Sequence, residues 1–262
     1  MAKIKLFSHY HHFPNHEPQE GDKYICCYND IFTMKRKEIL DTDIALLIEP
    51  RFIQPEVYTY VEQNYKSFKY IFAHDSYLLC NTPNAKPIVW GGVWASSDMP
   101  KHKGISMVAS AKANNYWRSE RVRLAKYLKD KENGYDVDVY GNFNGGPKAD
   151  TLTIYGPYKF NICMENCIDD MWMTEKLMNC FANKTIPIYI GAPLAKFIFN
   201  SDGIILAKDV DDILRIIREL DIDKEYERRK YAVNENYEHV KAYANFENYF
   251  FDMYGYLLED MI

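Results

Sequence analysis

The chain has 262 residues, 47% of them hydrophobic and 26% charged, with a formal net charge of −5. That length admits one large domain or two small ones, and the composition excludes intrinsic disorder. The negative balance excludes a global attraction to polyanions, so nucleic-acid binding would require a local basic patch.

The amino-terminal MAKIKLFSHYHHF lacks an apolar core of signal-peptide length, and no run of about 18 uncharged apolar residues occurs anywhere. A soluble, cytoplasmic protein without a transmembrane segment is the expectation. Cys26, Cys27, Cys80, Cys163, Cys167 and Cys180 form neither CxxC pairs nor a regular framework, so they are expected as reduced packing residues.

Short Ile- and Val-rich runs alternate with helical patterns, as in parallel α/β proteins. In the first part KIKLF, KYICC, IALLIE, KYIFA and PIVW read as strands; a helix runs from Pro55 through Tyr65, and a shorter one follows His74 and Asp75. His9, His11, His12 and His16 cluster after the first strand. No Cys or carboxylate completes a metal-ligand set at suitable spacing, so His11 and His12 stand as candidates for substrate contact at a cleft edge. The stretch WGGVWASSDMPKHKG, Trp90 to Gly104, breaks the pattern with Gly, Ser and Pro and reads as a linker.

The alternation then restarts with strand ISMVAS, a helix from about Ser119 to Lys129, strand DVDVYG and the Gly-rich GNFNGGPKAD. Strand YKFNICME, a helix from Thr174 to Asn183, strands IPIYIG and GIILA and helix DVDDILRIIREL follow. Between Lys112 and Lys131 lies a basic patch of Arg118, Arg121, Arg123, Lys126 and Lys129, read mostly as a solvated helix face. The tail is helical, and its aromatic NFENYFFDMYGYLL reads as a docked terminal helix. Two successive α/β units predict two Rossmann-like domains facing each other across a working cleft, with bounds 1–100 and 101–222 and a tail over 223–262.

Polar chemistry concentrates in MENCIDDMWMTEK, Met164 to Lys176. Thr174 suits an N-cap, with Glu175 and Lys176 in the first turn and Leu177, Met178 and Phe181 on the buried face. A helix start offers free N–H groups and a positive dipole end, hence a seat for phosphate, and Lys176 adds a full charge. A lysine there opposes the dipole unless an anion is near. Glu165 and Asn166 end the preceding strand, where ligands of open α/β sheets sit. Glu175 suits ribose hydroxyls and Asn166 suits phosphate or sugar. A salt-bridged, capped helix end fits the same residues equally well.

YKFNICMEN, WMTEK and IPIYIG together resemble the donor-binding signature of the family 10 glycosyltransferases, the α-1,3-fucosyltransferases, with matching spacing from Tyr158 to Gly191. SMVASAKANNYWRSERVRLAKYL and VDVYG extend the resemblance over roughly residues 105–215. It implies an α/β fold of the GT-B type and an inverting, metal-independent transfer from GDP-fucose or a related nucleotide sugar to a hydroxyl of a glycan acceptor. Asn166, Trp172, Glu175 and Lys176 would then contact the donor, with Glu165 and Thr174 in the same site. Arg121 would meet the pyrophosphate, with Arg118 as the fallback. Met164 and Trp172 stand where the family usually has Phe and Tyr, and the second change removes a hydroxyl that would reach the donor.

Inversion requires a general base on the acceptor side. Glu49 ends IALLIE before Pro50 and Arg51, which faintly resembles the family's Glu-Ser-Pro stretch, and Asp75 is the second candidate. Asp136 and Asp138 of VDVY are read as structural, and no cofactor or essential metal is expected. Two other readings stay open. One is a glycosyltransferase using another donor, such as a UDP-sugar, on an unusual acceptor such as a modified DNA base; the basic helix motivates it. The other is a non-catalytic sugar-nucleotide-binding module.

Overall fold

The computed structural model describes residues 4–7, 23–27, 44–144 and 149–258. His9, His11, His12 and His16 lie outside them. The chain divides into two units, one of residues 1–90, 169–172 and 246–262 and one of residues 91–168 and 173–245.

The first unit carries five parallel strands in the order β1 (Ile4–Phe7), β2 (Lys23–Cys27), β3 (Ile44–Leu46), β4 (Tyr70–Ala73) and β5 (Ala85–Pro87). β4 reads YIFA without polar alternation because both faces of its parallel sheet are covered. Ile71 and Ala73 join Val57, Tyr58 and Val61 of helix α1 (Pro55–Gln63) in one core. Phe72, one residue out of phase, meets Phe250 edge-on at 4.8 Å between ring centroids. α1 opens with Pro55, whose missing N–H is free of cost in a first turn. Helix α2 (Ser76–Asn81) opens on Asp75, which accepts from Leu78 N at 2.7 Å. The last strand was expected at PIVW, Pro87 to Trp90, and is found starting two residues earlier, at Ala85–Pro87; Ile88 adds one further bond, to Ala73 O at 2.9 Å. Pro87 donates no N–H, which an edge strand tolerates.

The second unit runs β6 (Lys103–Val108), α3 (Tyr116–Lys129), β7 (Val137–Tyr140), α4 (Thr151–Tyr155), β8 (Tyr158–Met164) and α5 (Glu175–Ala182). β9 (Ile186–Ile190), α6 (Ala195–Ile198), β10 (Ile205–Leu206), α7 (Val210–Glu219) and α8 (Ile222–Val240) complete it. Its parallel sheet has the order β10-β9-β8-β6-β7. β7 therefore lies on one side of β6 and β8 on the other, so the loops leaving β6 and β8 diverge and open a crevice at the strands' carboxyl ends. Leu124, Ala125 and Leu128 of α3 pack on Ile105, Met107, Phe160 and Ile162 of β6 and β8.

Residues 223–262, expected as one tail, divide between the units. α8 lies wholly in the second, whereas α9 (Phe246–Leu258) belongs to the first, where Phe250 and Tyr254 bracket Phe72. Among the described residues no helix is long and apolar enough to cross a membrane.

Candidate functional site

A cavity of about 640 Å³ opens within the second unit. Its lining comes from the carboxyl ends of β6 and β7 (Ser110, Lys112, Gly141, Asn142), from α3 and α4, and from Asn166 and the first turns of α5. This is the crevice that the strand order creates. Gly141 makes its floor possible: its φ of +98° disfavours a side chain, and a Cβ there would lie 2.1 Å from Ala109 O. Asn142 Oδ1 accepts from Ala111 N at 3.2 Å, tying the loops after β6 and β7 together. Behind α4, Asn161 Nδ2 donates to Ser106 Oγ at 2.8 Å, and Ser106 Oγ donates to Ile154 O at 2.7 Å. The buried chain fixes α4 against β6 and β8.

The helix start at α5 is built as its residue types dictate. Thr174 caps it, accepting from Lys176 N at 3.3 Å. Thr174 in turn donates from its backbone N (2.9 Å) and its hydroxyl (2.8 Å) to the buried Glu165 carboxylate. Lys176 Nζ donates to Thr174 Oγ1 at 2.9 Å, Glu175 Oε1 at 3.0 Å and Glu165 Oε2 at 3.3 Å. The anion that a first-turn lysine requires is thus supplied by the chain itself. Burial pulls the Lys176 pKa down, and the two carboxylates more than reverse it, holding the ammonium above its ordinary range. Burial pushes Glu165 up against the pull of Lys176. Burial also opposes ionisation of Glu175, where Lys176 wins and holds the carboxyl below its usual range.

Arg121 differs from the rest of the basic patch. It is 6% exposed, its Nη1 donates to Met164 O at 2.9 Å, and its Nε has no partner among the described residues. Burial lowers its pKa, yet a guanidinium stays charged. Arg118 and Lys112 line the same cavity, whereas Arg123 pairs with Glu120 and Lys129 lies over the Phe143 ring at 5.5 Å. Lys112, Arg118, Arg121 and Lys176 outweigh Glu175 and Glu165, so the cavity favours an anionic ligand with several acceptor oxygens.

Of the residues read from the sequence, Arg121, Asn166, Glu175 and Lys176 come together at this cavity. Glu165 and Thr174 stand behind it as support. Trp172 does not line it: the residue lies in the first unit, 2% exposed, with Nε1 donating to Ile48 O at 3.1 Å and its ring 6.2 Å from that of His74. In the same unit Glu49 follows β3 and is partly exposed, and its carbonyl accepts from Tyr58 OH at 2.9 Å. Asp75 accepts from Arg51 Nε at 2.9 Å and Nη2 at 2.8 Å, besides capping α2. Burial raises its pKa, but Arg51 and the Leu78 N–H overcome this and hold it below the ordinary carboxylate range. A carboxylate so engaged is a poor proton acceptor. Asp138, read as structural, accepts from Tyr158 OH at 2.6 Å. His11 and His12 lie outside the described residues.

Sequence reasoning missed Lys112, Gly141, Asn142, Thr151, Asn179 and Trp94 as cavity residues. The glycine closing VDVYG was the available signal, since a glycine directly after a strand marks a turn or a close backbone approach.

The family model for the C-terminal part of glycosyltransferase family 10 (fucosyltransferase) matches residues 99–250. Human 3-galactosyl-N-acetylglucosaminide 4-alpha-L-fucosyltransferase FUT3 is 26% identical over 148 residues, 52% of this chain and 40% of FUT3. The Helicobacter pylori alpha-(1,3)-fucosyltransferase FucT is 38% identical over 52 residues, 20% of this chain and 11% of that protein. The match thus spans about 40% of the length of the human relative. Among solved structures, an α1,3-fucosyltransferase with GDP superimposes with a TM-score of 0.55 at 14% identity, covering 93% of this chain and 90% of the other. The pneumococcal O-GlcNAc transferase GtfA in complex with UDP and GlcNAc gives 0.55 at 10% identity, over 93% and 57%. These two carry the fold class, α/β of the GT-B type, as the sequence led one to expect. With its match over residues 99–250, the chain belongs to glycosyltransferase family 10.

Proposed function

We propose that the chain transfers fucose, with inversion, from GDP-fucose to a hydroxyl of a glycan acceptor. The observation that carries this reading is Arg121, a buried guanidinium with an unpartnered Nε beside Lys176 at a cavity of nucleotide size. A buried cation left short of partners is costly unless an anion arrives, and a diphosphate supplies one.

Arg121, Lys176, Arg118 and Lys112 bind the diphosphate and stabilise the charge that grows on it as the bond to the sugar breaks. Each well-placed donor of this kind is worth about 3 kcal/mol at the transition state. Because four cations meet that charge, the transfer runs without a metal. Glu175 accepts from the ribose hydroxyls and Asn166 donates to phosphate or sugar. Glu49, of the first unit, takes the proton from the acceptor hydroxyl. Asp75 does not, since Arg51 and the Leu78 N–H engage it. Of the basic helix that motivates a modified DNA base as acceptor, Arg118 and Arg121 belong to the cavity and Arg123 pairs with Glu120.

The test is transfer of labelled fucose from GDP-fucose to a panel of glycans, run with and without EDTA, alongside thermal shifts with GDP and UDP. Turnover that survives EDTA, together with stabilisation by GDP above UDP, is the expected result. A donor at about 100 times its dissociation constant adds about 2.7 kcal/mol of stability, which a thermal shift resolves. Stabilisation by UDP alone would replace the donor, and silence with every nucleotide would refute the site.

A further inference from the structure

Trp94 is a large aromatic on the surface, 70% exposed, and it lines the cavity. Three other exposed rings have covering partners: Tyr116 packs on Trp117 at 5.0 Å, Phe197 lies under Lys196 at 5.0 Å, and Tyr77 lies under Arg51 at 5.5 Å. Among the described residues no ring or cation covers the Trp94 indole.

The exposure does not come from a loose segment. Asn179 Oδ1 of α5 accepts from Trp94 N at 2.9 Å, and the Asn183 side chain donates to Ala95 O at 2.8 Å. Ser96 Oγ donates to Ala182 O at 2.9 Å, and Ser97 Oγ donates to Asn183 Oδ1 at 2.8 Å. Asn179 and Asn183 are 2% and 0% exposed. Two buried amides are thus committed to holding a surface strip, an expensive use of core positions if nothing rests on it. Upstream, Gly91 lies flush on the same helix, where a Cβ would meet Met178 Cε and Cγ at 3.0 Å. The chain is laid along α5 so that an aromatic face stands fixed at the cavity rim.

Trp94 lines the same cavity as Lys112, Arg118, Arg121, Glu175 and Lys176, and Asn179, which holds it, is one turn or about 6 Å along α5 from Glu175. With a diphosphate on the cations and the ribose on Glu175, the indole is the exposed aromatic face left in the lining for the base. We propose that Trp94 is the stacking platform for the nucleobase of the donor and favours a purine over a pyrimidine by its larger overlapping area. This rests on the nucleotide-sugar reading above. Stacking on a ring with two side-chain torsions carried by a fixed backbone loses little entropy on binding, which is why an anchored rim serves better than a mobile one.

Calorimetric titration of the full chain with GDP, UDP and inorganic pyrophosphate, for the unaltered protein, Trp94→Ala and Trp94→Phe, tests it. Trp94→Ala is expected to weaken GDP about 10-fold or more, UDP less, and pyrophosphate not at all, while Trp94→Phe recovers most of the loss. Unchanged GDP affinity in Trp94→Ala would overturn the platform alone, and a raised acceptor KM in that variant would reassign the ring to the acceptor. A parallel loss of pyrophosphate binding would make Trp94 structural. Failure of the unaltered chain to bind either nucleotide would overturn both the platform and the donor reading beneath it.

Discussion

Replacing Lys176 by Met tests whether the cluster at the start of α5 is held by charge and whether the same charge binds the donor. The substitution keeps the stem and removes an ammonium that donates to Glu165, Glu175 and Thr174. Removing one partner of a fully buried pair costs about 3–5 kcal/mol. Here Lys176 is 19% and Glu175 21% exposed, so part of the lost pairing is replaced by water. Glu165 keeps its Thr174 donors, which leaves about 2–3 kcal/mol of destabilisation at neutral pH. Glu165→Gln in the same background removes the stranded charge and should restore about half of that. The deficit of the single variant should also shrink as pH falls. Burial raises the Glu165 pKa, so the folded state binds the extra proton first and gains stability below neutrality. Urea unfolding at pH 7 and pH 5 measures both effects, and titration with GDP measures the other half of the reasoning. Both variants should bind GDP at least about 100-fold more weakly, since neither restores the cation. A double variant no more stable than Lys176→Met would refute the electrostatic account, and recovered GDP binding in the double variant would remove Lys176 from the donor site.

Arg121→Met should leave stability within about 1 kcal/mol of the unaltered chain or raise it, because a half-partnered buried cation is exchanged for an apolar side chain of similar length, while GDP affinity collapses; a large loss of stability with binding intact would contradict this. Asp75→Asn should cost about 1–3 kcal/mol at pH 7 by losing the charge on the Arg51 fork. Because the folded-state pKa of Asp75 is depressed, its contribution is present above the unfolded value near 4 and is lost as pH falls through the lower folded value, so the gap between variant and parent should close at pH 3. Gly141→Ala, placing a Cβ 2.1 Å from Ala109 O at positive φ, should cost more than about 2 kcal/mol and deform the cavity floor, read as a lowered Tm with weakened GDP binding.

The architecture was legible because parallel strands buried on both faces leave unbroken apolar runs such as YIFA and IPIYI. The start of α5 was legible for a local reason, since Thr174 caps it and Leu177, Met178 and Phe181 line one face. Arg121 could have been read as buried without any resemblance. It stands at i, i+3, i+4 and i+7 with Leu124, Ala125 and Leu128, on the apolar stripe and not on the solvated one. α4, which follows the glycine-rich stretch, was not legible because long-range contacts secure its five residues: Lys101 Nζ meets Gly156 O at 2.6 Å and Ser106 meets Ile154 O. The place of Trp172 outside the cavity was hidden for a similar reason. Residues 169–172 group with the first unit while the chain on either side of them groups with the second, and the carbonyl Trp172 bonds, Ile48 O, is 124 residues away in the chain.

Several residues that build this site carry a cost to the fold. Arg121 is buried with an open Nε, Glu165 is buried although burial opposes its charge, Asn179 serves a surface strip, and Gly141 holds a left-handed turn. A chain selected for stability alone would fill these positions with apolar residues and a left-handed turn would be unnecessary. Each is affordable because the surrounding sheet is well packed: β8 is buried along almost its whole length, and β6, β8 and β9 share one core. The unmet demand at Arg121 is then a store of binding free energy, released when acceptor oxygens arrive. Lys176, already satisfied by Glu165 and Glu175, contributes differently: its position is fixed before the ligand comes, so no reorganisation opposes the approach of charge. One cation short of partners beside one held in place makes a site that gains from binding and is already shaped for the charge that grows during transfer.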